Sequence, residues 1–178
     1  MEKKPSKEQL IRRATEWFDG QGWKPFPFQQ KTWEAFLDGK HGLLNAPTGS
    51  GKTYALWFPI LLQYLREHPD YRKNIPRGLK AKWITPLRAL SQEIRQSAER
   101  ITQDLELPFT VGIRTGDTSQ SERARQRKKM PDLLITTPES LQLLLATKGY
   151  DKTFKSCYAI VVDEWHELLG SKRGVQME

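Results

Sequence analysis

Cysteine, histidine and long apolar runs are all scarce in this chain of 178 residues. The single cysteine, Cys157, excludes an internal disulfide, and its place beside an apolar run is typical of a buried structural thiol in a reducing compartment. The three histidines and this cysteine show no zinc-ligand spacing. No apolar run approaches the roughly 20 residues that cross a bilayer, and the amino terminus lacks the apolar core of a signal peptide. We therefore expect a soluble, cytoplasmic protein with no membrane partner.

Negative charge is also in the minority, with 21 Asp and Glu residues against 29 Lys and Arg residues and a formal net charge of +8. The charged content of 28% is ordinary for a folded protein, which argues against a disordered basic tail. A cationic folded surface favours a polyanionic partner, but a basic balance that serves only solubility is an equal alternative. Charge alone does not decide between them.

Strand and helix patterns alternate along the chain and predict one α/β domain, residues 1–178. A chain of this length can bury about 70% of its unfolded surface, which is enough for one core. The alternation favours a mostly parallel sheet with helices on both faces. The chain ends in a helical pattern soon after its most acidic motif, so we expect an N-terminal fragment of a longer protein. The strands are predicted over 42–45, 79–85, 110–114, 132–136 and 158–162, and the helices over 6–19, 28–37, 52–66, 87–104, 119–129 and 139–146.

A glycine-rich motif follows the first predicted strand and precedes a predicted helix. The spacing G/A-x4-G-K-T lets successive backbone N–H groups bind phosphates at a helix amino terminus, as in the P-loop. Lys52 is expected to reach the β- and γ-phosphates of ATP, and Thr53 to ligate Mg²⁺. A plain glycine-rich turn is the alternative, which the strand–loop–helix context disfavours. The motif consists of Ala46, Pro47, Thr48, Gly49, Ser50, Gly51, Lys52 and Thr53.

Two adjacent carboxylates, Asp163 and Glu164, follow the apolar pattern of the last predicted strand. In an open α/β sheet such a strand delivers them to the carboxyl edge, where ligands bind. Asp163 is expected to hold Mg²⁺, and Glu164 to orient and deprotonate the attacking water. Alone, such a pair is more typical of a helix amino terminus, but the phosphate loop earlier in the chain favours the catalytic interpretation.

Together, these motifs resemble those of superfamily 2 helicases of the DEXH-box type. Asp163-Glu164-Trp165-His166 supplies the box, residues 25–29 resemble the glutamine motif, 85–92 motif Ia and 135–140 motif Ib. The stretch 163–176 is similar to the Lhr-type group, especially the bacterial ligase-associated DEXH-box DNA helicases. The resemblance implies a RecA-like P-loop NTPase lobe, with N-terminal helices and the glutamine motif in residues 1–40.

The resemblance also implies roles for single residues. Gln29 would read the adenine edge, with a solvated glutamine at a helix start as the alternative. Trp23 or Phe26 would pack on the base unless they serve the core. His166 would couple the nucleotide state to the strand-binding surface through a later motif. A role as a turn residue or helix cap is the alternative for each of the implied phosphate contacts of a nucleic-acid strand. These contacts are Thr85, Arg88, Gly116, Thr137 and Ser140.

The function implied by the resemblance is that of an ATP-dependent DNA helicase in repair, moving on single-stranded DNA. ATP and Mg²⁺ are its expected cofactors; its expected partners are a second RecA-like lobe of the same protein and a DNA ligase or nuclease. An RNA or RNA–DNA hybrid helicase, or a nucleotide-gated scaffold without motor activity, remains open. Because the motifs of a second lobe and its arginine finger are absent from these 178 residues, we expect weak ATP binding and almost no hydrolysis by this chain alone.

Overall fold

The computed structural model describes residues 3–47 and 49–167. The chain divides into two compact units, residues 1–76 and 77–178. The prediction of one domain over the whole chain stays a prediction. The helix predicted at the chain end, and most of the Lhr-like stretch 163–176, lie outside the described residues. Within the described ranges, no helix combines the length and the apolar character that crossing a membrane requires.

The regular structure of the first unit's described residues is helical: α1 (Lys7–Gly20), α2 (Pro27–Leu37) and α3 (Lys52–Glu67). Ser6 caps α1 as predicted, because its hydroxyl accepts a hydrogen bond from the Gln9 N–H at 3.2 Å. The three helices pack through an aromatic core, which holds the start of α3 against α1 and α2. In this core, contacting ring centroids lie 5.2 to 5.8 Å apart, and the rings belong to Trp17, Phe18, Trp33, Tyr54 and Phe58.

The buried strand predicted at 42–45 is wrong. These residues have no regular secondary structure, and Leu43 is 70% exposed. A strand needs a neighbouring strand for its backbone hydrogen bonds, and the elements of the first unit are helices throughout its described residues. The apolar pair Leu43 and Leu44 suggested a strand, but a short apolar run says nothing about a pairing partner. The phosphate loop therefore keeps the predicted helix after it, without the strand before it.

The second unit contains a parallel four-stranded sheet in its described residues, with the strand order β2-β3-β1-β4. This confirms the predicted α/β class, and each strand lies inside a predicted one. Trp83 of the central strand β1 pairs with Ile135 on one side and Val161 on the other. Since all strands run the same way, their carboxyl ends meet at one edge. The strands are β1 (Ala81–Ile84), β2 (Val111–Arg114), β3 (Leu133–Thr136) and β4 (Ala159–Val162).

Helices connect these strands. The chain crosses from β1 to the edge strand β2 in one direction along the sheet, and it returns from β2 to β3 and then to β4 in the opposite direction. Because crossovers between parallel strands are right-handed, this reversal places α4 and α5 on opposite faces of the sheet. The short helix α7 and a 3₁₀ turn at Trp165–Glu167 were not predicted. The connecting helices are α4 (Arg88–Asp104), α5 (Gln120–Lys128), α6 (Pro138–Leu145) and α7 (Tyr150–Phe154).

Candidate functional site

The phosphate loop enters α3 through two glycines with positive φ, Gly49 at 75° and Gly51 at 85°. Gly51 is the N-cap of α3, and no described side chain caps the helix there. Lys52 and Thr53 are the first two helical residues, and both are half-buried. Helix amino termini present N–H groups and a positive dipole end to anions, so this arrangement fits a phosphate. Thr48 lies outside the described residues.

The first half of the loop is held by its own backbone. The Pro47 carbonyl accepts hydrogen bonds from the Ser50 N–H at 3.3 Å and from the Ser50 hydroxyl at 2.6 Å. Ala46, just before Pro47, is half-buried. The Ser50 bonds close a tight turn immediately before Gly51, which the positive φ of Gly49 makes possible.

Gln29 ties α2 to this loop. The side chain is 2% exposed, its Oε1 accepts from the Phe26 N–H at 2.7 Å, and its Nε2 donates to the Gly51 carbonyl at 3.1 Å. A Cβ atom on Gly51 would lie 2.7 Å from Gln29 Nε2, so only glycine allows this approach. The sequence did not indicate this contact across 22 positions. Gln29 Nε2 has a second N–H and Oε1 a second lone pair, which fits the adenine role but does not test it.

The two aromatic residues near Gln29 differ in their surroundings. Trp23 is 43% exposed and packs edge-on against the rings of Trp17 and Phe18. Phe26 is 56% exposed and stacks on Phe28 with centroids 5.9 Å apart. Trp23 is therefore attached to the aromatic core, whereas Phe26 offers an exposed ring next to the buried Gln29.

The Asp163 carboxylate is oriented by its neighbours on the sheet. Its Oδ2 accepts a hydrogen bond from the Trp83 indole Nε1–H at 3.2 Å, and its Oδ1 accepts from the Glu164 N–H at 2.9 Å. The Asp163 N–H continues the ladder to the Ile84 carbonyl at 2.8 Å. Trp83 is fully buried, so its ring is a rigid donor. A carboxylate oxygen is a ligand type that Mg²⁺ prefers, so Asp163 has the chemistry of the predicted Mg²⁺ ligand. The sequence analysis missed Trp83, which is 80 positions away and in no motif.

Glu164 occupies an uncommon backbone conformation, with φ of 48°. For a residue with a side chain, this left-handed region costs about 1–2 kcal/mol, and such strain clusters at functional sites. The His166 imidazole Nε2 lies 3.4 Å from Glu164 Oε2 and 3.5 Å from Glu167 Oε1. Within the described ranges no three His, Cys, Asp or Glu side chains form a metal cluster. His166 is therefore a neighbour of the predicted base.

Three of the five predicted strand contacts are buried: Thr85 is 0% exposed, Thr137 3% and Ser140 6%. Thr137 is the N-cap of α6, and its hydroxyl accepts from the Ser140 N–H at 3.4 Å and donates to Ser140 Oγ at 3.2 Å. In the structure, Thr137 and Ser140 therefore form the cap of α6, which is the alternative that the sequence analysis left open. The buried Oγ1 of Thr85 has no hydrogen-bond partner among the described residues. Phosphate contact by these residues stays a prediction.

The other two predicted contacts, Arg88 and Gly116, lie against each other. Arg88 Nη1 is 2.9 Å from both Oδ1 and Oδ2 of Asp117, and a Cβ on Gly116 would lie 2.6 Å from Arg88 Nη2. Arg123 of α5 holds the same loop by donating to the carbonyls of Thr115 at 3.0 Å, Gly116 at 3.1 Å and Thr118 at 2.9 Å. The sequence analysis assigned no role to Arg123. Two arginines from different helices therefore fix this loop at the carboxyl edge of the sheet.

Comparison with known proteins gives this geometry a context. The family model for the DEAD/DEAH box helicase matches residues 26–178. The Lhr helicase/uracil glycosylase of Escherichia coli (strain K12) is 33% identical over 174 residues, covering 91% of this chain and 11% of that protein. The ATP-dependent helicase Lhr-Core of Sulfolobus acidocaldarius is 37% identical over 145 residues, covering 78% of this chain and 16% of that protein.

Solved structures agree with these relatives. The structure of Mycobacterium smegmatis helicase Lhr bound to ssDNA and AMP-PNP matches with a TM-score of 0.73 and 34% identity, over 94% of this chain and 21% of that one. Mss116p bound to ssRNA and AMP-PNP matches with a TM-score of 0.74 and 22% identity, over 98% of this chain and 36% of that one, which shows a shared fold. The predicted RecA-like lobe and the resemblance to the Lhr group are confirmed. The chain therefore belongs to the DEAD/DEAH box helicase family.

Proposed function

We propose that this chain is the ATP-binding and ATP-hydrolysing motor lobe of a DNA helicase that translocates on single-stranded nucleic acid. The observation that carries the proposal is the start of α3, where glycines of positive φ lead into a helix that no described side chain caps. The family match and the names of the Lhr relatives support the same activity. The chain spans only 11% and 16% of the two relatives compared, so the activity of the whole protein is part of the proposal.

The proposal gives each residue of the nucleotide site a role. The backbone of residues 46–53 and the Lys52 ammonium bind the phosphates, and Gln29 binds the adenine edge. Thr53 and Asp163 would hold Mg²⁺, which would supply positive charge to neutralise the phosphates. These assignments rest on the family match and on the fit of each unit's own geometry.

The hydrolytic step depends on Glu164, which orients the attacking water and takes its proton. His166, 3.4 Å from Glu164 Oε2, couples that carboxylate to the strand-binding surface. Differences in binding free energy between the ATP and ADP states then move this lobe against a second RecA-like lobe of the same protein. Thr85, Arg88, Gly116, Thr137 and Ser140 hold the strand through its phosphates, without reading sequence.

The test of the motor function is Glu164→Gln in the protein at its natural length. Loss of a positioned general base lowers turnover about 10²- to 10⁴-fold, while ATP affinity remains. Glu167→Gln is the matched control, since Glu167 also lies near His166 but follows the motif, and it should keep the parent's turnover. A Glu164→Gln protein that still hydrolyses ATP at the parent's rate contradicts the assignment, and a parent that shows no ATPase activity favours the scaffold alternative.

DNA is the proposed nucleic acid because the M. smegmatis Lhr structure holds ssDNA. The measurement is the ATPase rate of the full-length protein with single-stranded DNA and, separately, with single-stranded RNA at one fixed salt concentration. Stimulation by DNA alone supports the proposal; equal or RNA-only stimulation replaces it with the RNA alternative. A role in repair, a ligase or nuclease partner and a cytoplasmic location are further proposals, which rest on the sequence resemblance and composition.

A further inference from the structure

Arg114 is a buried arginine at the carboxyl end of β2, only 8% exposed. Burial alternates along β2, so Arg114 shares a face of the sheet with the buried Gly112. Helix α5 covers this face, because Gln126 Nε2 donates to the Ile113 carbonyl at 2.9 Å and lies 3.6 Å from the Cβ position of Gly112. Arg123 and Arg127 are four residues apart, so they lie on the same side of α5 as each other.

Within the described residues the Arg114 guanidinium has no compensating charge. Its Nη1 is buried without a hydrogen-bond partner. The pKa of Arg114 lies below its ordinary value, first because of burial and then because of the positive charges of Arg123 and Arg127, and no carboxylate offsets them. The two acidic residues nearest in the chain have other partners: Asp117 binds Arg88 and Glu122 binds Arg125.

A buried, unpaired charge is costly for a fold, more so beside two charges of the same sign. The Arg123 side chain donates to backbone carbonyls, which are neutral and leave the net charge of the group unchanged. The Oε1 of Gln126 is also buried without a donor, and it could accept one N–H from Arg114 but could not neutralise it. An anion with several acceptor oxygens would supply both the missing hydrogen-bond acceptor and the missing negative charge. Phosphate is such an anion, and its oxygens match the fork of N–H donors on a guanidinium.

We propose that Arg114, with Arg123 and Arg127, binds a backbone phosphate of the nucleic acid, at a site separate from the five contacts assigned above. Arg114 immediately precedes the loop 115–118, which Arg88 and Arg123 fix at the carboxyl edge of the sheet. A strand laid along this loop brings a phosphate next to α5. The inference rests on the proposed function, since it assumes a nucleic-acid ligand.

The test is Arg114→Met in the protein at its natural length, with binding to an oligothymidylate of about 20 nucleotides measured between about 50 and 200 mM KCl. Methionine keeps the volume and removes the buried charge, so the melting temperature should stay the same or rise. The slope of log K against log salt should become less steep by about 0.7, the value for one phosphate contact on a single strand. Arg125→Met is the matched control, since it removes a charge from the outer side of α5 that is already paired with Glu122 at 2.6 Å. It should keep the parent's slope.

Each outcome is decisive. An unchanged slope and affinity in Arg114→Met, with the parent binding DNA normally, overturns the inference and leaves the proposed function standing. A parent that binds no nucleic acid overturns both. Should Arg114→Met lose its fold, Arg114→Gln keeps hydrogen-bonding capacity without charge, and an unchanged slope in that variant overturns the inference too. Inorganic phosphate is the last arm: if it raises the melting temperature of the parent but not of Arg114→Met, while the DNA slope is unchanged, the site takes free phosphate and the backbone assignment is wrong.

Discussion

Gly51 carries two separate constraints, and both require glycine. Its φ of 85° is in the left-handed region, and an added Cβ would lie 2.7 Å from Gln29 Nε2. We expect Gly51→Ala to lose about 1–2 kcal/mol of stability from the backbone conformation alone and to abolish ATP binding, because Gln29 must move away from the loop. Gly39→Ala is the matched control, since Gly39 has φ of 75° with open space around it. Calorimetry of both variants measures the stability lost through backbone strain, and ATP titration measures the effect on the phosphate loop. Equal ATP affinity in the two variants would contradict the role given to Gly51.

Trp83 acts on the carboxylate site through one hydrogen bond, from its indole N–H to Asp163 Oδ2 at 3.2 Å. Trp83→Phe keeps a buried ring and removes the donor, so we expect a rise in the Mg²⁺ concentration that half-saturates the ATPase of the protein at its natural length. The lost hydrogen bond alone should lower stability by about 0.5–1.5 kcal/mol, and the smaller ring adds a packing loss. Trp33→Phe is the comparison, since Trp33 is equally buried and donates to the Tyr54 carbonyl at 3.3 Å. A Mg²⁺ requirement that shifts equally in both variants would mean that Trp83 does not orient Asp163.

These residue-scale contacts show where sequence analysis succeeds and where it stops. The cap at Ser6 was predicted because the bonds between Ser6 and Gln9 span three positions, within reach of a local pattern. The bond between Trp83 and Asp163 spans 80 positions and depends on the pairing of β1 with β4, which no local pattern contains. Asp163 was predicted as a site residue because it belongs to a local sequence motif. The residue that orients it has no such signature.

At the scale of elements, the loop between β2 and α5 contains Asp117, which forms an ion pair with Arg88 of α4. Asp117 places both carboxylate oxygens 2.9 Å from Arg88 Nη1, and this pair is largely exposed, with Arg88 58% and Asp117 74% accessible. An approaching phosphate must compete with Asp117 for the same guanidinium. Exposed pairs contribute about 0.2–1 kcal/mol, so we expect Asp117→Asn to raise DNA affinity by about 1.4- to fivefold with little change in stability.

The control for this prediction is Asp151→Asn, which removes an equal charge from the exposed start of α7. Fluorescence anisotropy with labelled single-stranded DNA at low salt measures both variants against the parent. A gain confined to Asp117→Asn supports phosphate binding by Arg88. Equal gains in the two variants would reflect net charge alone, and a loss in Asp117→Asn would mean that Arg88 works only by fixing the loop.

Two of the errors of element prediction have different causes. The strand at 42–45 failed because strand formation depends on a partner strand, and Leu43 is 70% exposed in a unit whose described elements are helices. The helix α7 (Tyr150–Phe154) was missed because five residues are too few to display a helical period. By contrast, α4 (Arg88–Asp104) is long enough to bury Ile94, Ala98 and Ile101 on one face, and its pattern was recognised almost to the residue.

At the scale of the whole molecule, the family match and the length of the relatives lead to a prediction about the isolated chain. The proposed function includes a second lobe, and an arginine supplied across the cleft accelerates related NTPases about 10³- to 10⁵-fold. The match to the M. smegmatis Lhr structure covers 94% of this chain but only 21% of the Lhr chain. The 178 residues alone should therefore hydrolyse ATP at least about a thousandfold more slowly than the protein at its natural length.

The measurement compares the ATPase rates of the two proteins under saturating ATP and single-stranded DNA, with Glu164→Gln of each as the background. Hydrolysis by the 178-residue chain should lie close to that background and respond little to DNA, because one lobe cannot couple strand binding to closure on a second. The Glu164→Gln background removes contaminating ATPases from the comparison, since only hydrolysis that depends on this carboxylate counts. Strand-stimulated turnover by the short chain at the rate of the longer protein would show that these residues contain every group that the reaction needs.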